Sequence, residues 1–436
     1  MEYWVLNASI HHSITPLLQP PVGSSESVSA AKWHVEIRKL AVTIMDFELT
    51  EEQQMVRETT RAFVEREVKP VASRMDREGA YPSELVKKMG EMGLMGVFVP
   101  PEFGGSGMDL VSYIVAMEEI SKAWASLAVV MSVHNSLVCA PILRFGTAEQ
   151  KKQHLPSLAR GERLGCYSLT EAGAGSDAGS IQTRAKRAGS NYVLNGAKVF
   201  TTNGSRADIA VVYAVTDPGS GKKGISAFLV ERNTPGFIVA KLEDKLGLRS
   251  SDTASLVFED CPVSQDNRLG EEGEGFKIAL ETLDGGRIGI AAQALGIAQG
   301  CLEESLAYAK ERRQFGRAIA EFQAIQWMLA DMATEIDAAR LLTYRAGWLH
   351  QQGKRVTREA AMAKLFASEA SNRIAYKAVQ IFGGYGYVKE SAVERFFRDA
   401  RVTTIYEGTS EIQRLVIARD LLRESEATDE SRQQVF

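Results

Sequence analysis

The strongest constraint on the fold is a double change of hydrophobic rhythm along the chain. From Thr50 to about Gly165 apolar residues fall in helical runs separated by loops such as Pro100-Pro101-Glu102-Phe103-Gly104-Gly105. Two helix starts carry capping boxes, Thr50-Glu51-Glu52-Gln53 and Thr147-Ala148-Glu149-Gln150. Between Cys166 and about Asn267 the texture becomes β-like. Tyr192 to Phe200 places Asn195-Gly196 between alternating apolar residues, which predicts a hairpin turn there. Ile209–Ala214, Ser226–Val230 and Ala254–Phe258 are further short strand-like runs. After Phe276 helices return. One is expected from about Glu281 to Arg312, and Ile325, Leu329, Met332, Ile336, Ala339 and Thr343 form a stripe at alternating spacings of four and three.

That order predicts an α+β chain: an N-terminal helical domain over 45–165, a middle β-domain over 166–272, a C-terminal helical bundle over 273–425 and a tail over 426–436. Residues 1–44 lack periodicity, contain Pro20-Pro21 and a Ser-rich run, and balance Lys32, Arg38 and Lys39 with Glu2, Glu26 and Glu36. They are expected to be a disordered extension or an over-called start. A mitochondrial presequence is Arg-rich and poor in acids, so the expected location is the bacterial cytoplasm rather than the mitochondrial matrix.

With 51 basic and 55 acidic residues the net charge is -4, which gives no basic surplus for nucleic acid or an anionic membrane. Cys139, Cys166, Cys261 and Cys301 are scattered, with no C-x-x-C pair, so neither a zinc site nor a disulfide frame is expected. Ala125 to Leu143 carries no formal charge. It does contain His134, Asn135, three serines and Pro141, and a buried helix ending near Pro141 is the expected reading, not a membrane span.

Three segments carry chemistry. Tyr167-Ser168-Leu169-Thr170-Glu171-Ala172-Gly173-Ala174-Gly175-Ser176-Asp177 is glycine-rich, but Gly173, Gly175 and Gly179 have the wrong spacing for a dinucleotide fingerprint. Its backbone N–H groups and hydroxyls can present donors to a polar ring edge or a phosphate. Phe200-Thr201-Thr202-Asn203-Gly204 ends a strand. Ile405-Tyr406-Glu407-Gly408-Thr409-Ser410-Glu411-Ile412-Gln413 places Glu407 in a short loop, with Ser410 and Gln413 spaced as a capping box. A carboxylate before a helix usually just favours the helix dipole. Among Ile405, Tyr406 and a glycine, burial can instead raise its pKa to that of a useful base.

Together, in this order, these segments resemble the acyl-CoA dehydrogenase family, over about Asp46 to Leu422. The likeness is greatest to the short-chain (butyryl-CoA) branch, through Leu283-Asp284-Gly285-Gly286-Arg287-Ile288-Gly289-Ile290, the run Ala291 to Gln299, and Tyr406 to Arg414. The resemblance implies an N-terminal all-α domain, a middle β-barrel domain and a C-terminal four-helix-bundle domain, with FAD as cofactor, an acyl-CoA substrate, an electron-transfer flavoprotein as acceptor and no metal. Tyr167, Leu169, Thr170, Gly175 and Ser176 would line the flavin and thioester end, with Phe200 and Thr202 on the isoalloxazine. Arg312, Gln314 and Phe315 would meet the pyrophosphate and adenosine part, where a guanidinium fork suits phosphate. Gln323 and Gln380-Ile381-Phe382-Gly383-Gly384 would contact FAD across a subunit interface. Arg312 and that run thus look like two halves of one site from different subunits, in a homotetramer built as a dimer of dimers. Thr409 and Glu411 would lie near the adenine. Asp284, Arg287, Tyr406, Gly408 and Ser176 would meet the substrate, and Glu407 would be the base.

The implied reaction is removal of an α-proton by Glu407 with hydride leaving the β-carbon to flavin, giving a trans-2-enoyl-CoA. Preorganised donors would hold the developing enolate oxygen. Two positions depart from the family: Ala172 stands for the usual proline, and Phe200 for the usual tryptophan, which keeps a ring but loses its N–H. The isovaleryl-type branch carries its base at the position of Gly286, so Gly286 with Glu407 is the ordinary arrangement. Glutaryl-type members place arginine and serine where Ala128 and Val129 stand here, so a dicarboxylyl substrate is not expected. The rival readings are an oxygen-using acyl-CoA oxidase or flavin monooxygenase on the same fold, and a flavin-containing DNA-associated protein. The acidic run from Glu424 to Glu430 speaks against the last.

Overall fold

The computed structural model describes residues 48–433, with side chains to Glu424. The expected extension 1–44 and most of the acidic run lie outside the residues so described. Helix α1 (Glu51–Phe63) begins one residue after Thr50, and α2 (Lys69–Glu78), α3 (Ser83–Glu91) and α4 (Leu110–Ala123) follow. Helix α4 is buried nearly all round and is capped by Asp109, whose carboxylate accepts from Ser112 N at 2.7 Å.

The apolar stretch does not stop at Pro141. It runs as α5 (Ala125–Ser132), a π-turn (Val133–Cys139) and α6 (Ala140–Phe145). Pro141 sits at the start of α6, where its missing N–H follows the widened π-turn and leaves the chain helical. Among the described residues this is the one stretch long and apolar enough to cross a membrane, and 89% of its apolar window is buried inside the protein. Helix α7 (Ala148–Ala159) starts on the predicted Thr147/Gln150 box, with both reciprocal bonds made.

The β-domain is one eight-stranded sheet. Strands β1 (Gly165–Ser168), β2 (Arg184–Ala188), β3 (Asn191–Thr202), β4 (Ile209–Val215), β5 (Ile225–Glu231), β6 (Phe237–Leu242), β7 (Thr253–Ser264) and β8 (Arg268–Leu269) order as β6-β7-β3-β2-β4-β5-β8, with β1 parallel to β4. Asn195-Gly196 is not the predicted hairpin turn. The turn lies at Gly189-Ser190, and Asn195-Gly196 stays within β3 opposite a bulge carried by β7, where Asn195 faces both Glu259 and the left-handed Asp260. Asn195 uses its amide there, accepting from Asp260 N at 2.9 Å and donating to Asp260 Oδ1 at 3.1 Å. The Asn-Gly signal is local, and pairing with the partner strand overrides it.

Helix α8 (Gly275–Glu311) has 37 residues and begins before the expected Glu281. Helices α9 (Gln323–Gln351), α10 (Thr357–Phe382), α11 (Ala392–Val402) and α12 (Ser410–Gln433) complete the bundle. Of the predicted α9 stripe, Met332, Ile336, Ala339 and Thr343 are buried, while Ile325 and Leu329 are half-buried. Helix α8 packs on α4 through its glycines. A Cβ at Gly296 would lie 2.5 Å from Glu118 O, and one at Gly289 2.6 Å from the Tyr113 hydroxyl. Ionic contacts join all three layers: Arg398 of α11 donates to Asp76 of α2 at 2.7 Å, and Asp399 accepts from Leu248 N of the β-domain at 2.6 Å.

Candidate active site

Three elements converge on Glu407: the α11–α12 loop, the middle of α8 and the start of α10. Glu407 and Gly408 are both left-handed, at φ 49° and 91°. For glutamate that conformation is costly and persists only where its surroundings enforce it. The enforcing contacts are visible. Gln413 donates its side-chain amide to the carbonyls of Glu407 and Gly408, at 3.2 and 2.8 Å, and Lys364 of α10 donates to Gly408 O at 2.8 Å. Gln413 therefore does not complete the predicted box with Ser410. Thr409 is the cap, its hydroxyl accepting from Ile412 N at 3.3 Å, one residue earlier than the sequence spacing suggests.

The Glu407 carboxylate points at α8. A methyl group on Gly286 would fall well inside 3.0 Å of Glu407 Oε2, closer than Cβ atoms come, and 2.8 Å from Leu137 Cδ2. Oε2 is shielded from solvent and has no hydrogen-bond partner among the described residues. Burial pushes the carboxyl up to about 7, with the cations of Lys364 and Arg287 opposing. Arg287 is itself 4% exposed and ion-paired through Nη1 to Asp284 Oδ1 at 2.7 Å; Thr357 donates to the other Asp284 oxygen. Tyr406 donates its hydroxyl to Gln293, whose amide donates to Ala125 O at 2.9 Å. Tyr113 donates to Ser132 Oγ at 3.1 Å. Lys364, Gln293 and Tyr113 carry no signal of their own in the sequence, and Gln413 reads there only as part of a capping box.

The predicted flavin loop approaches the same place. The charges of Glu407 and Arg287 both reach the phenol of Tyr167, whose ring packs on that of Tyr213 with centroids 5.1 Å apart. Leu169 is buried, and Thr170 O accepts from Val199 N at 2.9 Å. Ala172 and Gly173 close a two-residue turn through reciprocal Glu171–Ala174 backbone bonds. A fully buried Lys198 anchors this loop to β3, donating to Leu169 O at 3.0 Å and Glu171 Oε1 at 2.8 Å. Glu171 also accepts from Gln182 N and Thr183 N. Beyond this anchor Gly175 and Ser176 are exposed, and Gly173 and Gly175 have nothing within 4 Å of a Cβ. Phe200 is left-handed, at φ 57°, and 66% exposed, with half-buried Thr202 two residues on.

The other predicted cofactor residues lie elsewhere. Arg312, Gln314, Ile381, Gly383 and Gly384 line one cavity of about 610 Å³, walled by the stacked rings of Tyr308 and Phe382. This corrects one expectation: Arg312 and the Gln380–Gly384 run are neighbours within one chain, not halves from two. Gln323, Gln380 and Glu411 are exposed, Thr409 is half-buried, and Phe315 is 93% exposed. From Gly286 to Arg312 is a run along α8 of about 40 Å at 1.5 Å per residue.

Comparison with known proteins covers the three domains in turn. The acyl-CoA dehydrogenase N-terminal, middle and C-terminal domain models match residues 50–162, 166–261 and 273–422. The short-chain specific acyl-CoA dehydrogenase of Mus musculus mitochondria is 53% identical over 88% of this chain and 94% of its own length. The structure of butyryl-CoA dehydrogenase from Megasphaera elsdenii superposes with a TM-score of 0.86 at 47% identity, covering 87% of this chain and all of that one. A chain from a structure titled for the electron transferring flavoprotein of Acidaminococcus fermentans gives a TM-score of 0.86 at 51% identity, with 87% and 100% covered. With all three domains matched in order, the chain belongs to the acyl-CoA dehydrogenase family.

Proposed function

We propose that this acyl-CoA dehydrogenase takes a short saturated or small branched acyl-CoA to its trans-2-enoyl-CoA, with Glu407 as base. Dehydrogenation of acyl-CoA and dependence on FAD come with the family. The observation that carries the role of Glu407 is its Oε2: enclosed, unpartnered, against Gly286, on a carboxyl pushed up to about 7. A base poised near neutrality can be ionised before reaction and still take a weakly acidic proton. Arg287, held by Asp284, keeps a positive charge near that carboxylate, and Tyr167 and Leu137 help exclude water.

The residues fit FAD. Phe200 offers an exposed ring, the loop around Gly173 and Gly175 leaves its backbone open to close approach, and Arg312 brings a guanidinium to a cavity floored by Gly383 and Gly384. Bound FAD supplies the acceptor for the β-hydride. Arg312 stands about 40 Å along α8 from Gly286, at 1.5 Å per residue, so the cavity it lines is remote from Glu407. A second copy of the chain therefore supplies one set to each site, consistent with a homotetramer. Reoxidation by an electron-transfer flavoprotein is supported by the similar chain from the Acidaminococcus fermentans structure.

The test is anaerobic bleaching of the flavin by a panel of saturated acyl-CoAs. Glu407→Gln keeps shape but cannot take the proton, and should slow bleaching by about 10²–10⁴-fold, the worth of a positioned general base. Bleaching within a few-fold of wild type would mean that Glu407 is not the base.

A further inference from the structure

Lys364 sits in the core of the bundle with no exposed surface. An ammonium group carries three donors, and this one makes a single hydrogen bond among the described residues, to Gly408 O at 2.8 Å. Among the described residues no carboxylate lies within ion-pair distance of it. A buried, incompletely partnered cation costs stability, and leucine or methionine would fill the same space without that cost. The charges that face it are Glu407 on the active-site loop, Arg287 on α8, Glu411 on α12 and Glu369 on its own helix. Glu369 is engaged by Arg414 at 2.7 Å, and Glu411 and Glu369 lie at the surface side. The enclosed charge opposite Lys364 is therefore Glu407, whose peptide Lys364 also grips.

We propose that Lys364 is a positioning residue for the base: it clamps the left-handed Glu407–Gly408 peptide, and its charge holds the Glu407 carboxylate ionised where catalysis needs it. The inference rests on Glu407 being the base. The electrostatics agree in direction. Burial pushes the Glu407 carboxyl up with Lys364 as the first opposing influence, and burial pushes the Lys364 ammonium down with Glu407 as the first opposing influence, so each charge favours the other. Removing the cation leaves burial against Arg287 alone, so the carboxyl must climb further. Gln413 supplies a second, uncharged clamp on the same carbonyls, so loss of the Lys364 charge is separable from loss of the loop.

The experiment uses the FAD-loaded enzyme with Lys364→Met, Lys364→Gln and Lys364→Arg. Two titrations are followed from about pH 6 to about pH 9, the window a carboxyl near neutrality requires. One is the rate of anaerobic bleaching by butyryl-CoA. The other is the infrared band of the protonated Glu407 carboxyl, assigned by its loss in Glu407→Gln. Both midpoints should move up by about one pH unit or more in Lys364→Met, a tenfold loss of the ionised base below the midpoint. Lys364→Gln keeps an amide donor for Gly408 O without charge, so it should show the same shift and serves if the methionine variant does not fold. Lys364→Arg should return both midpoints to wild type. A purely structural lysine would lower the melting temperature or FAD content while leaving the midpoints in place, and that result overturns the inference. If Glu407→Gln bleaches at the wild-type rate, the assignment of the base fails instead.

Discussion

Gly286→Ala is the sharpest probe of the site, because it adds one methyl group and no charge. That methyl falls inside 3.0 Å of Glu407 Oε2, whereas ordinary contact begins near 3.4 Å. The carboxylate is the far end of a flexible side chain, so it yields rather than the helix, and it must retreat by about 1 Å. A reacting group misplaced that far costs on the order of 10²-fold in rate. Overpacking against Leu137 adds a destabilisation of about 1–3 kcal/mol. Stopped-flow bleaching with butyryl-CoA reads the rate, and thermal unfolding reads the stability. Gly285→Ala is the internal control: its Cβ meets nothing within 4 Å, so the rate should hold and helix propensity should add up to about 1 kcal/mol. Equal rates for the two variants would refute the placement of the carboxylate against α8.

Three further outcomes are expected. In the wild type, bleaching should accelerate as pH rises through about 7, because the base works ionised and its carboxyl titrates there; a rate flat across neutrality contradicts this. Butyryl-CoA should exceed glutaryl-CoA in kcat/KM, since Ala128 and Val129 are buried at 0% and 2% exposure and offer a distal carboxylate no partner, a penalty of several kcal/mol; the reverse order overturns the substrate reading. Lys198→Met should leave Glu171 buried without its cation and cost on the order of 3 kcal/mol, read as a lower melting temperature and lower FAD content; an unchanged melting temperature contradicts the anchoring role.

The layer order was legible in the sequence because hydrophobic period distinguishes helix from strand over long segments. The details that were misread are those in which one local signal serves two structures. Asn195-Gly196 is a turn signal that pairing with β7 overrode, and the chain bends instead at Asp260 on the strand opposite. Ser410 and Thr409 are both good caps, and the loop's left-handed entry selected the latter. Pro141 ends a regular helix but is accommodated after a π-turn. At the site, Glu407, Arg287 and the glycine-rich loop were legible through family resemblance. Lys364 and Lys198 were not, because a lysine in a helix or strand reads as surface until the packing shows its head enclosed.

The contact between Gly286 and Glu407 also constrains how such a site can change over generations. Two positions far apart in the chain address one point in space, so a carboxylate could in principle be delivered from either. The order of steps is not free. A side chain arriving first at position 286 collides with the resident carboxylate, and a second charge beside it would repel. Loss of Glu407 first leaves no base at all. The passable route replaces Glu407 by a small residue together with the arrival on α8, so that one carboxylate is present throughout. A lineage that has made the crossing would look inactive to any comparison that inspects only the loop position, while its chemistry continued from the helix.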